Sequence, residues 1–221
     1  MLKRDQGKQD MKVEIWSDLV CPWCYIGKRR FEMALTQFEH RESVEVIWRS
    51  FELDPDSPSQ HSCDLAELLS QKYGTSPQQA AAMIARVTDV AGEVGLEYQL
   101  NLAHPGNTFD VHRLLHFAAS RQLGAEATER IMHGYFCEGL VIGDRKVLAR
   151  LAPKFGMSEK EVLTMLETEV FSEEVRADEA RARELGISGV PFILIEGTIG
   201  ISGAQPVEIF VEALQKVWSN K

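Results

Sequence analysis

Cys21-Pro22-Trp23-Cys24 stands where one hydrophobic period gives way to another, and that junction constrains the fold more than any other part of the chain. Before it, Val13-Glu14-Ile15-Trp16 alternates and is rich in β-formers, which is the pattern of a strand. After it, Tyr25, Ile26, Phe31, Leu35 and Phe38 recur at helical spacing. The chain is therefore predicted to run from a strand through a short turn into a helix. Pro22 falls in the first helical turn, where its missing N–H costs nothing. Cys21 falls at the helix N-terminus, facing unpaired amides and the positive end of the dipole. Such a setting favours thiolate near neutral pH. Two thiols so spaced form a dithiol that closes and reopens.

A CxxC pair is also half of a zinc site, and a structural site of that kind needs two further Cys or His ligands at matching spacing. Cys63 and Cys137 are isolated in sequence, and His40, His61, His104, His112, His116 and His133 form no knuckle beside either of them. No metal is expected. Cys63 and Cys137 read as ordinary thiols, because nothing in the sequence places them together.

The net charge of −9 and the lack of a Lys/Arg stripe interleaved with aromatics argue against nucleic-acid binding. Residues 1–10 are charged and lack an apolar h-region, so they read as a loose tail rather than a signal peptide. No window reaches the length of a membrane span. With four cysteines in 221 residues the chain is no disulfide scaffold, so the cytoplasm and a mostly reduced dithiol are expected.

A second strand is predicted over Val44–Phe51, after which Leu53-Asp54-Pro55-Asp56-Ser57-Pro58-Ser59 breaks all periodicity. From Leu65 to Leu185 the pattern is helical throughout. The predicted helices are Leu65–Tyr73, Pro77–Val94, Thr108–Leu123, Ala125–Phe136, Asp144–Phe155, Glu159–Thr168 and Ser172–Leu185, most of them ending at a glycine. Ser158 with Glu161 has the form of a capping box, and Ser172 is the predicted cap of the last of these helices. Strand character returns in Val190–Ile195 and Thr198–Ile201, and Pro206–Trp218 is amphipathic. Neither strand-rich end makes a sheet worth burying alone, so the two must pair across the insert. The expected division is a discontinuous domain over residues 11–55 and 186–221, a helical insertion domain over residues 56–185, and a flexible tail over residues 1–10.

This arrangement resembles the thioredoxin fold, and the helical insert after the second strand resembles the DsbA family. Glu14-Ile15-Trp16-Ser17-Asp18-Leu19-Val20-Cys21-Pro22-Trp23-Cys24-Tyr25-Ile26-Gly27 is similar to the FrnE-like branch of that family. So are Asn107-Thr108 with His112-Arg113, Tyr135-Phe136 with Glu138-Gly139, and Gly186-Ile187-Ser188-Gly189-Val190-Pro191-Phe192. The resemblance covers roughly residues 11 to 218. It implies an α/β, thioredoxin-like fold with a large all-helical insertion after the second strand. It also implies an enzyme, a cytoplasmic disulfide oxidoreductase or isomerase. Relatives with Ser for the first cysteine are 2-hydroxychromene-2-carboxylate isomerases and kappa-class glutathione transferases.

In that reading Cys21 attacks a substrate disulfide, and Cys24 resolves the adduct. Cys24, a helical turn inward, is expected to be the deeper and less acidic thiol. Pro22 and Trp23 tune the potential. Thioredoxin at about −270 mV and DsbA at about −120 mV differ by roughly 7 kcal/mol. Trp23 offers only a neutral indole where DsbA has a histidine, so a less oxidising protein is expected. Val190-Pro191 matches the family's cis-proline dipeptide, whose free backbone groups pair with an extended peptide or with glutathione. Thioredoxin and DsbA carry a buried acid six residues before the first cysteine. Here that position is Ile15, with Asp18 and Glu14 nearby, and the route of the Cys24 proton stays open. Asp18, Asn107, Thr108, His112 and Arg113 are candidates to line the cleft. Structure is the favoured reading of the last four, with Thr108 or Asn107 capping a helix and His112 and Arg113 pinning the insert to the thioredoxin-like domain.

The expected partners are protein or small-molecule thiols and disulfides, with glutathione as a redox partner or co-substrate and a second copy of the chain as a candidate. No other cofactor, nucleic acid or membrane is expected. Two other functions stay open: a glutathione-dependent isomerase or transferase, and a non-enzymatic redox-sensing module.

Overall fold

The computed structural model describes residues 10–221, so the tail expected over residues 1–10 lies, apart from Asp10, outside the described residues. Strands β1 (Met11–Ser17), β2 (Val44–Ser50), β3 (Phe192–Ile195) and β4 (Ile199–Ser202) form one sheet in the order β2-β1-β3-β4. β1 pairs parallel with β2 and antiparallel with β3, and β4 is antiparallel to β3. Ile15 thus sits between Trp48 and Ile193, one from each end of the chain. The strand-rich ends do pair across the insert, and the fold is an α/β thioredoxin-like core carrying a large helical insertion.

The alternation of β1 assigns its two faces. Met11, Val13 and Ile15 are buried against helices α1 (Pro22–Gln37) and α9 (Val207–Ser219), beside Phe31, Phe210 and Leu214. Trp16 points the other way, into a small cluster with Ala182, Ile187 and Leu194, and its indole N–H donates to the Asp178 carbonyl at 3.1 Å. Both faces of the sheet are therefore covered, as the parallel β1–β2 pair requires.

The insert supplies α2 (Leu65–Tyr73), α3 (Pro77–Gly92), α4 (Phe109–Ala119), α5 (Gly124–Glu138), α6 (Arg145–Leu151), α7 (Glu159–Leu166) and α8 (Ser172–Glu184). Several bounds depart from the sequence prediction for local reasons. The helix expected over Asp144–Phe155 gives way at Ala152 to a 3₁₀ turn that holds Pro153, which cannot donate to the α-helical ladder. α4 stops at Ala119, Gln122 turns the chain at φ 62°, and Gly124 opens α5. Ser158 precedes α7 without the side-chain bond of a capping box. Ser172 is the first helical residue of α8, and Phe171 takes the cap position at φ 67°. β3 begins only at Phe192, because Pro191 has no N–H to give a ladder.

A charged network clamps α8 to the sheet. Arg49 donates to Glu14 and to Asp178, Arg181 reaches the other Glu14 oxygen, and Asp178 also accepts from the Ser50 N–H and faces His116 at 3.2 Å. Burial opposes the charge on Asp178, but His116, the Ser50 amide and Arg49 outweigh it and hold the carboxyl below its ordinary range. Burial likewise opposes the Glu14 charge, and Arg181 and Arg49 outweigh it. A carboxylate with a depressed folded-state pKa adds stability above its unfolded pKa and loses it as pH falls through the folded one. Denaturant midpoints should therefore drop steeply as pH falls below about 4. Asp178→Asn should flatten that drop while costing about 2 kcal/mol at neutral pH, readable in paired urea titrations across pH.

Candidate active site

The turn after β1 delivers the dithiol as the change of period predicts. The Cys21 N–H donates to the Asp18 carbonyl at 3.2 Å, Pro22 opens α1, and the Cys24 N–H donates to the Cys21 carbonyl at 3.0 Å. Cys21 is the N-cap of α1, and no acidic side chain occupies the first turn to oppose a thiolate there. Both cysteines are reduced; Cys21 is 5% exposed and Cys24 1%. Burial, together with the Cys21 thiol beside it, pushes the Cys24 pKa well above its ordinary value, against the Ser17 hydroxyl and the Asp18 amide.

The Val190–Pro191 bond is cis, and the Cys21 thiol lies 3.6 Å from the Val190 carbonyl oxygen, so the β3 approach and the head of α1 meet at one point. Gly27 packs beneath this contact: a Cβ there would stand 2.9 Å from Pro191 Cγ, which explains a glycine inside α1.

A cavity of about 540 Å³ opens over Cys21. Its floor includes Asp18, Cys21, Pro22 and Val190, and its walls come from the insert, chiefly Leu65 and Leu69 of α2, Ile84 and Val87 of α3, and Tyr135 and Phe136 of α5. The walls are mostly apolar, with Lys72 and Arg86 among them. Trp23 is 40% exposed and forms part of the rim.

Behind the dithiol stands an aromatic stack. Tyr98 and Phe136 stack at 4.8 Å, Tyr25 lies against both at 6.2 and 6.0 Å, and the Tyr98 hydroxyl donates to the Pro22 carbonyl at 2.8 Å. The Tyr25 hydroxyl donates to Glu129 at 2.6 Å, and Lys28 and Arg29 bind the same carboxylate. Burial and Glu129 raise the Tyr25 pKa, so its hydroxyl stays a donor. Tyr98 and the walls from α2 and α3 have no sequence signal: a single Tyr in a loop and ordinary amphipathic helices reveal no target until the insert folds back.

Of the five candidate cleft residues, Asp18 and Thr108 line the cavity. Asn107 accepts from the Phe109 N–H at 2.9 Å and donates to the Pro55 carbonyl, so it fixes the turn just ahead of α4, whose N-cap is Thr108, and ties it to the loop after β2. Arg113 is 1% exposed and spends its guanidinium on Asp110, on the carbonyl of Met165 in α7, and on those of Thr168 and Val170 in the α7–α8 connection. Neither residue reaches the cleft, because those contacts hold both side chains elsewhere. His112 is also 1% exposed and lies behind the floor, its Nε2 3.5 Å from Asp18 Oδ1. It borders a second cavity of about 500 Å³, with Ser17, Ser50, His116 and Thr128.

Cys63 and Cys137 are free thiols, and burial with Glu138 and Glu129 pushes the Cys137 pKa up. Among the described residues, no three of His, Cys, Asp and Glu converge as a metal site, and no helix is long and apolar enough to cross a membrane.

The DSBA-like thioredoxin domain profile matches residues 12–215. A probable DsbA oxidoreductase from Streptomyces coelicolor has a crystal structure that is 42% identical in sequence. It superposes at a TM-score of 0.91 over 96% of this chain and 91% of that one. The uncharacterized Bacillus subtilis protein YwbO is 29% identical over 91% of this chain and 94% of its own length. The cytosolic disulfide reductase DsbM of Pseudomonas aeruginosa, solved with GSH, shares the fold at 18% identity, with a TM-score of 0.64 over 94% of this chain and 99% of that one.

Proposed function

This chain belongs to the DSBA-like thioredoxin domain family and is a DsbA-type oxidoreductase, and from that premise we propose a function for its Cys21-Pro22-Trp23-Cys24 dithiol: exchange of disulfides with protein or small-molecule thiols, in the manner of the FrnE-like branch. The observation that carries the reading is the placement of Cys21 at the head of α1, on the floor of an apolar cleft, with Cys24 buried beneath it. Cys21 thiolate attacks one sulfur of a substrate disulfide, and the other sulfur leaves as a thiolate. Cys24 then attacks the Cys21 sulfur, forming the Cys21–Cys24 bond and expelling the second substrate thiolate. Two electrons pass from the dithiol to the substrate; run backwards, the same steps oxidise a substrate dithiol. Isomerisation follows when a second substrate thiolate displaces Cys21 from the mixed disulfide, with no net electron transfer. Val190 and Pro191, beside Cys21, position the incoming chain, and Trp23 on the rim contacts it.

Glutathione is the redox partner that fits this chemistry, and a cytoplasmic setting belongs to the same proposal. So does the division into a discontinuous thioredoxin-like domain over residues 11–55 and 186–221 and a helical domain over residues 56–185. The glutathione-dependent isomerase or transferase reading is the weaker one, because Cys24 lies where it would cleave any adduct on Cys21.

The test is equilibration of the purified protein in graded glutathione redox buffers, read by alkylation and intact mass. A reversible two-electron transition confined to Cys21 and Cys24 is the expected result. Accumulation of a stable single glutathione adduct, with the Cys21–Cys24 bond never closing, would overturn the reading in favour of the isomerase or transferase class.

A further inference from the structure

Resolution requires Cys24 to lose a proton before its sulfur attacks Cys21, yet this thiol is buried and its pKa lies well above the ordinary value, through burial first and the Cys21 thiol second. Ile15, at the position of the family's buried acid, packs into the core with Phe31 and Ile193. Glu14 lies on the opposite face of β1 and is bound by Arg49 and Arg181. Neither serves the thiol.

The Asp18 main chain lies beside the Cys24 thiol, and His112 lies beside the Asp18 carboxyl. The Ser17 hydroxyl and the Asp18 main-chain N–H face the Cys24 sulfur and favour its thiolate. The Asp18 carboxylate is fixed through Oδ2, which accepts from the Leu53 N–H at 2.8 Å, and its Oδ1 lies 3.5 Å from His112 Nε2. Asp18 Oδ1, His112 Nε2 and Ser17 Oγ are all buried, and none has a close hydrogen-bond partner among the described residues. Three unmatched polar atoms in one spot are costly and call for a reason. Hydrogen bonds used in catalysis are often long at rest and tighten during the reaction. The two cavities supply the path: Asp18 and Val20 border the cleft, whereas Ser17 and Leu19 border the second cavity, together with His112.

We propose that Asp18 and His112 act as a buried proton-positioning pair for Cys24, taking up its proton past Ser17 and releasing it to the second cavity. The inference rests on the dithiol exchange proposed above. The proton leaves Cys24 Sγ for the imidazole, whose new positive charge the Asp18 carboxylate balances. The sulfur's electron pair forms the Cys21–Cys24 bond, and the bond from Cys21 to the substrate sulfur breaks with its electrons leaving on the substrate. In the reverse direction the pair returns the proton to Cys24. Tyr135 of α5 also faces Asp18, and burial and that carboxylate raise its pKa, so it stays protonated. His116, one turn along α4, is engaged by Asp178 and Ser50, and Asp178 in turn is bound by Arg49.

Reduced full-length protein carrying Cys63→Ser and Cys137→Ser lacks the other two free thiols. Mixing it with dithionitrobenzoate separates the steps, since one thionitrobenzoate leaves on Cys21 attack and the second on Cys24 resolution. His112→Gln should leave the first phase near wild-type speed and slow the second about a hundredfold near neutral pH, and Asp18→Asn should slow the second phase relative to the first by a similar factor. The deficit should shrink as pH rises and hydroxide takes over. A second phase unchanged, or slowed by the same factor at every pH, overturns the proposal. A wild-type protein with no second phase at all would instead sink the dithiol reading itself. Should both variants fail to fold, ring-nitrogen NMR of the wild type decides: the His112 titration must differ between the dithiol and disulfide forms, and identical titrations overturn the proposal.

Discussion

Cys24→Ser is expected to convert the protein from a catalyst into a trap. Cys21 keeps its place as the N-cap of α1 at the floor of the cleft, so attack on a substrate disulfide continues. Release does not, because the sulfur that expels the substrate is gone. Steady-state disulfide turnover should fall by about a hundredfold or more, an activation deficit of roughly 3 kcal/mol, while a covalent adduct on Cys21 accumulates to one equivalent. Intact mass after mixing with a disulfide substrate reads the adduct, and reducing it should return the starting mass. Cys21→Ser should be equally inactive and form no adduct. Turnover retained by Cys24→Ser would mean that external thiol resolves the adduct, which is the behaviour of a glutathione-dependent enzyme. Serine is close in volume to cysteine, so neither result should be confused with unfolding.

The largest stability effect should come from Tyr25→Ala. Tyr25 is fully buried against Tyr98 and Phe136, and its ring is the face on which the insert rests against α1. Truncation opens a cavity in that contact at a cost of about 3–5 kcal/mol, a large share of the roughly 5–15 kcal/mol that holds a typical protein together. Tyr25→Phe separates the two halves of this effect. It keeps the stack and loses only the bond to Glu129, which Lys28 and Arg29 still hold, so about 1 kcal/mol is expected. Chemical denaturation followed by tryptophan fluorescence measures both. A cost for Tyr25→Ala no larger than that for Tyr25→Phe would mean that the stack does not join the insert to the core.

The parts of this architecture that could be read from the chain are those whose signal is local. β1, the dithiol turn and α1 announce themselves because the period changes from two to 3.6 within a few residues around Pro22. The pairing of the two ends follows from a strand too short to be buried alone. Helix ends were less legible wherever a neighbour, rather than a terminator, decides them. Phe171 caps α8 in a left-handed conformation that its residue type does not advertise, and Pro153 divides a continuous apolar pattern. The cleft was the least legible part. Its walls come from α2, α3 and α5, whose inward faces look like any amphipathic helix. Arg113 illustrates the same limit. A structural role is the favoured reading of this charged residue from sequence, but its partners are invisible there, because they are backbone carbonyls over fifty residues later in the α7–α8 connection.

The sheet order β2-β1-β3-β4 also dictates a schedule. During synthesis the dithiol helix emerges early, whereas Val190, Pro191 and the two strands that complete the sheet arrive only after the whole insert has been translated. Domains generally fold as units, and pairings between distant parts of a chain are slow to form. A nascent chain therefore carries its two thiols through most of its synthesis before the segment that packs beside Cys21 in the finished fold has been made.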